Sequence, residues 1–276
     1  MDKPANPAAG QATGSNTPQD PDKRNRRIAI WIASVAALAA VGAATVSVIQ
    51  VSVTRQQNTV AEQEQLVALT ATIAQTITQQ QANIDQAEGN LTGVARAQAA
   101  ANAQTATVAQ LEVDGEAAAV LISELHGAGI AGIEYVQVAE ALNISGHMGQ
   151  AITFYSDAVS APPHDAVTRA DALRNQGLLY YSLGQDGAGH RDYVEAASVF
   201  EGRVQITQFL RGNSMAQAYL NDAGNQLGIN GCHVAASDMQ AALHALAPLG
   251  PGGVNPPNQA LVARVTAAYK SKCVSA

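Results

Sequence analysis

The chain has 276 residues, room for one or two domains, and is 47% hydrophobic but only 4% aromatic and 13% charged. Its apolar share is mostly alanine, the best helix former and poor strand material, which excludes an all-β architecture and gives an all-α fold class. The formal net charge is −7, with five basic and three acidic side chains in residues 1–27 against ten and nineteen in 28–276; so acidic a body excludes nucleic acid as partner, because duplex binding needs clustered Lys and Arg.

Residues 1–22 carry four of the ten prolines and no apolar period, so residues 1–27 read as a disordered tail. Lys23, Arg24, Arg26 and Arg27 close that tail, and no charged residue follows from Ile28 to Val53. Twenty-six helical residues span about 39 Å, enough for a hydrocarbon core of about 30 Å. Trp31 sits near the basic end, where an interfacial aromatic belongs. The pattern predicts a transmembrane helix over 28–53, with the N-terminus cytoplasmic and the remainder extracytoplasmic. A cleaved signal peptide would end at Ala37-Leu38-Ala39 or Gly42-Ala43-Ala44, but the apolar run continues past both. The Ala-rich, Arg-over-Lys composition fits a GC-rich bacterial genome and hence a bacterial cell membrane.

Residues 54–131 form the next segment, rich in Ala, Gln and Thr. A heptad pattern places Leu66, Ile73, Gln80, Ala87, Val94, Ala101 and Val108 at one seam position. Thr70, Ile77, Ile84, Leu91, Gln98 and Thr105 take the other. The expectation is a helical stalk or coiled coil. Charged flanking ladders are absent, and Gly89 and Gly93 mark a bend or hairpin within it. Self-association through this stalk into a structural homo-oligomer is one alternative for the whole protein.

Nine of the eleven aromatics fall between Tyr135 and Tyr219, which locates the packed domain. Two segments there match at a constant offset of 38 residues: Ala139, Leu142, Gly146, Ala151, Tyr155 and Ala158 pair with Gly177, Tyr180, Gly184, Gly189, Tyr193 and Ala196. A fixed period of this length marks a solenoid of helix pairs. The small residue of the first helix allows close crossing, the glycine ends that helix, and the small–aromatic–small triplet shares one face of the second helix. Pro163 sits where the second helix ends.

This pattern resembles the tetratricopeptide repeat, a helix–turn–helix unit of 34 residues. On it the repeats run over 132–165, 170–203 and 217–250, with residues 251–276 as a capping helix and tail. The third repeat departs at Gln240 and Leu243, and the second at Glu201. The resemblance implies a non-enzymatic scaffold whose concave groove holds another protein or a peptide. The groove-facing positions it implies are Val136, Glu140 and Asn143, then Asp171, Arg174, Leu178 and Tyr181, then Asn221 and Asn225. The basic carboxylate clamp of the chaperone-tail binders in that family is missing, since Arg174 is the sole cation in the set, so an acidic C-terminal peptide is not implied.

Cys232 and Cys273 are the only cysteines. An even count in an oxidising compartment predicts a disulfide between the third repeat and the cap. The six histidines show no metal-ligand spacing and read as surface or helix-end residues, so no metal site is expected. Gly127, Gly129 and Gly132 spell G-x-G-x-x-G, with Asp157 downstream. This resembles the phosphate turn of flavin- or NAD-binding enzymes, the second alternative reading. Glu124 and His126 stand where a buried strand should end, and no strand–helix alternation follows, so the glycines read better as a flexible junction. No nucleophile, P-loop or paired-carboxylate motif is present, so no catalytic residue and no cofactor is expected.

Overall fold

The computed structural model describes residues 58–82, 93–203, 205–229, 231–250 and 252–274. The chain divides into two compact units, Met1–Asn58 and Thr59–Ala276, and the fold below is that of the second. The tail over 1–27 and the apolar run over 28–53 lie outside the described residues. Among the described residues no helix is long and apolar enough to cross a membrane. Every regular element among them is helical, in agreement with the all-α expectation.

The first element, α1 (58–82), and the second, α2 (Gly93–Glu124), do not make one rod. The start of α1 lies against the turn that follows α2, where Gln63 Nε2 donates to the Ala128 carbonyl at 3.0 Å. The start of α1 thus lies beside the end of α2. Leu66, Thr70 and Ile73, three heptad seam positions, are buried. Leu66 and Ile73 share a cluster with Leu111, Ala118, Leu121, Ile122 and Leu125 of α2 and the turn after it. The apolar seam of α1 is thus covered within the chain. Burial of the seam against a neighbouring helix stabilises α1 better than its propensity alone would.

The glycine motif forms the turn from α2 into α3 (Gly132–Ile144). Gly127 (φ 75°) and Gly129 (φ 73°) adopt left-handed backbone there. A helix precedes them, so the strand–turn–helix that a dinucleotide site requires is not formed. Gly132 answers to packing instead, because a Cβ on it would lie 3.1 Å from the Ala158 carbonyl.

Three helical hairpins follow: α3 with α4 (Met148–Ser160), α5 (Ala166–Ser182) with α6 (Asp186–Ser198), and α7 (Gln208–Gly228) with α8 (Cys232–Leu246). Each hairpin packs on the next, and α2 covers α3 at one end. The first two hairpins turn at Gly146 and Gly184, both left-handed. His147 N donates to Leu142 O at 2.7 Å and Gln185 N to Tyr180 O at 2.8 Å, closing the same six-residue loop at each helix end. Tyr155 and Tyr193, matched at the 38-residue offset, are both buried.

Two helix starts differ from the repeat register. α5 begins at Ala166 rather than 170, because Asp165 caps it by accepting from Thr168 N at 2.8 Å. α7 begins at Gln208 rather than 217, capped by Thr207, which accepts from Leu210 N. Cap chemistry sets these starts, and a repeat template does not carry it.

The last helix, α9 (Pro256–Tyr269), packs on α7 and α8. Three asparagines fix it to α7. Asn258 Nδ2 donates to the Asn213 carbonyl at 2.8 Å, Asn255 N donates to Asn213 Oδ1 at 3.0 Å, and Asn213 Nδ2 donates to the Gly253 carbonyl at 3.0 Å. Cys232 and Cys273 form the expected disulfide, with Cα atoms 5.8 Å apart.

Candidate binding cleft

The hairpins leave a cleft of about 420 Å³ between the first helices of the second and third hairpins and the cap helix. Of the nine residues implied by the repeat pattern, Arg174 and Leu178 of α5 and Asn221 and Asn225 of α7 line it. Leu178 is 46% exposed, an apolar side chain offered to solvent at the cleft wall. Arg174 donates through Nη1 to Gln217 Oε1 at 3.1 Å and forms an ion pair with Asp171. Burial raises the Asp171 carboxyl above its ordinary range, and the neighbouring guanidinium offsets part of that rise.

The other expected groove residues go elsewhere. Val136 is only 4% exposed and belongs to the core, because α2 packs over α3 and closes the face that would have been open. Glu140 is half-buried and accepts from Asn175 Nδ2 at 3.4 Å; burial and the nearby Asp171 raise its carboxyl. Asn143 is half-buried near the end of α3 and does not line the cleft.

Tyr181 belongs to a buried polar network rather than to the groove. Its ring packs on Tyr193, with centroids 6.1 Å apart. Its hydroxyl donates to Asp222 Oδ1 at 2.5 Å and accepts from Gln226 Nε2 at 2.7 Å. Burial and the Asp222 carboxylate push the Tyr181 phenol upward. His190 Nδ1 lies 2.5 Å from Asp222 Oδ2. His190, half-exposed near the start of α6, thus reaches from the surface to a buried acid. Asp222 is fully buried and Asp238 is 5% exposed. Desolvation, then the Asp222 charge, holds the Asp238 carboxyl up at about 7, and desolvation raises Asp222 as well.

Gln217, Arg264 and Val265 also line the cleft and escaped the sequence reading. Gln217 and the expected Asn221 and Asn225 lie one or two turns apart on α7, so an i, i+4, i+8 stripe of carboxamides was the signal available. Arg264 carries no such signal, because only the docking of α9 on α7 brings it there.

No protein-family model matches the chain, and neither does any curated protein. Among solved structures it is similar to the crystal structure of BtubC (BKLC) from P. vanneervenii, at 16% identity and a TM-score of 0.42, over 71% of this chain and 84% of that one.

Proposed function

We propose that the chain is a scaffold of tetratricopeptide-like hairpins that binds an extended segment of another protein or a peptide in the cleft between α5, α7 and α9. The observation that carries this reading is the chemistry of the cleft wall. Asn175, Gln217, Asn221 and Asn225 present carboxamides there, beside the exposed Leu178 and the apolar Leu261 and Val265. Asn221, and the groups that the other three keep beyond their bonds to Arg174, Glu140 and Tyr193, offer donors and acceptors that suit the alternating N–H and C=O groups of an extended main chain. Leu178 then supplies an exposed apolar contact for a ligand side chain.

The apolar run over 28–53, with its basic N-terminal flank, anchors this scaffold in the cell membrane in the same proposal, with the hairpins extracytoplasmic. The disulfide between Cys232 and Cys273 fits an oxidising compartment.

The test is site-specific photocrosslinking of the full-length protein in its native membranes. A photoreactive residue at Leu178 is expected to give a discrete adduct that a control at the exposed Val194 of α6 does not. Gln217→Ala with Asn221→Ala should abolish that adduct. Equal labelling at both positions, or none at Leu178, would overturn the proposal. Labelling of a cysteine placed at Gly10 by an impermeant maleimide in intact cells would reverse the orientation.

A further inference from the structure

We propose that His190, Asp222 and Asp238, brought together from α6, α7 and α8, form a binding site for one divalent transition-metal ion of the zinc class. One ligand atom from each lies within 4.8 Å of the others. A point central to three such atoms is at most about 2.8 Å from each, so metal–ligand bonds of about 2.0–2.2 Å need movements of under an ångström. His190, which is half-exposed, has room to make them.

Three further observations point to a cation here. First, Asp238 is only 5% exposed, and among the described residues its Oδ2 accepts no hydrogen bond from a donor group; the carboxyl meets the Asp222 carboxyl instead. A buried carboxylate oxygen without a donor is costly, and an ion would satisfy it. Second, Asp222 Oδ1 is already held by the Tyr181 hydroxyl at 2.5 Å, itself held by Gln226. That leaves Oδ2 of Asp222 directed at His190, and a carboxylate ligand oriented by an outer hydrogen bond is the arrangement metal sites use. Third, two adjacent buried carboxylates cannot both ionise without a compensating charge, and His190 is the one basic group in the cluster. A dication between the three side chains supplies that charge.

The donor set selects the metal. Calcium and magnesium favour six or more oxygen ligands, whereas one imidazole with two carboxylates matches zinc and its neighbours in three-ligand sites, with a fourth position for water. The ligands come from the second and third hairpins, so a bound ion would cross-brace the two hairpins whose first helices wall the cleft.

The experiment is calorimetric titration of chelator-treated full-length protein in detergent at pH 7.5 with zinc chloride, in two buffers of different ionisation enthalpy. One ion per chain is expected, with heats that differ between the buffers because protons are released. His190→Ala and Asp238→Asn should each weaken binding at least about tenfold, and His147→Ala should not. Asp238→Asn preserves the side-chain shape, so it reports on the site even where His190→Ala fails to fold. Calcium and magnesium are expected to give no saturation at the zinc concentrations used. The proposal is overturned by absence of saturable zinc uptake, by uptake unaffected in both site variants, or by equal binding of calcium. Uptake lost only in His147→Ala would place the ion at the exposed Glu112, Glu116 and His147 and overturn it equally.

Discussion

The hydroxyl of Tyr181 donates to Oδ1 of Asp222 across 41 positions of sequence, at 2.5 Å, and so ties the second hairpin to the third. Asp222 is fully buried, so this bond carries more weight than a surface contact of the same geometry. Tyr181→Phe removes the donor and leaves a buried carboxylate oxygen unsatisfied. It should destabilise the metal-free protein by about 1–3 kcal/mol. Leu178→Ala, three positions earlier on the cleft wall, should change stability by less than about 0.5 kcal/mol. Urea unfolding of both variants checks the contrast.

Stability should depend on pH in the direction set by buried acids. The Asp238 carboxyl stands at about 7 against an ordinary 3.8, and burial with the neighbouring Glu195 holds Asp192 at about 6. Between about pH 4 and 7 the folded chain keeps protons that the unfolded chain has released, so folding takes protons up. Stability should fall as pH rises through that window. In Asp238→Asn the fall should be shallower, because an amide does not titrate. Unfolding midpoints at pH 4.5 and 7.5, with a chelator present, are the measurement.

The disulfide between Cys232 and Cys273 closes a separation of 41 residues. On loop-closure entropy it contributes roughly 4 kcal/mol, less any strain it introduces. Reduction, or paired Cys→Ser substitution, should lower the unfolding midpoint by a corresponding amount. Because α9 is also held by Asn213, Asn255 and Asn258, the reduced protein should retain its helical circular dichroism at room temperature.

Two glycines should respond in opposite directions to alanine. A Cβ at Gly177 would lie 3.0 Å from the Gly189 carbonyl and 3.1 Å from the Tyr193 ring, where backbone cannot yield. Gly177→Ala should cost about 1–3 kcal/mol. At Gly224 the nearest atom to a new Cβ is Val265 Cγ2 at 4.0 Å. Gly224→Ala should raise stability by up to about 1 kcal/mol through helix propensity. Thermal melts of the two variants decide it.

The hairpin register of the first two repeats was legible from residues alone, because each marker acts locally. Gly146 and Gly184 end helices through their own backbone angles, and Tyr155 and Tyr193 fill the space beside small residues at fixed helical spacing. The start of α7 was less legible: the repeat template pointed to 217, whereas Thr207 caps the helix at Gln208. The heptad seam of α1 was correctly identified as apolar, but periodicity does not name the partner. Leu66 and Ile73 are covered by side chains of α2 and the turn after it.

The sequence by itself thus determined the helical class, the hairpin turns around Gly146 and Gly184, and the pairing of its only two cysteines, all consequences of local conformation or of number. Tertiary structure alone decided which polar groups meet. His190, Asp222 and Asp238 sit 32 and 16 positions apart, a spacing with no motif, and converge because two hairpins stack. Arg264 reaches the cleft only because the asparagines of α7 and α9 dock the last helix there. Packing geometry between helices is set by summed side-chain volumes and hydrogen bonds over long sequence separations, and a one-dimensional pattern does not encode where those sums come to rest.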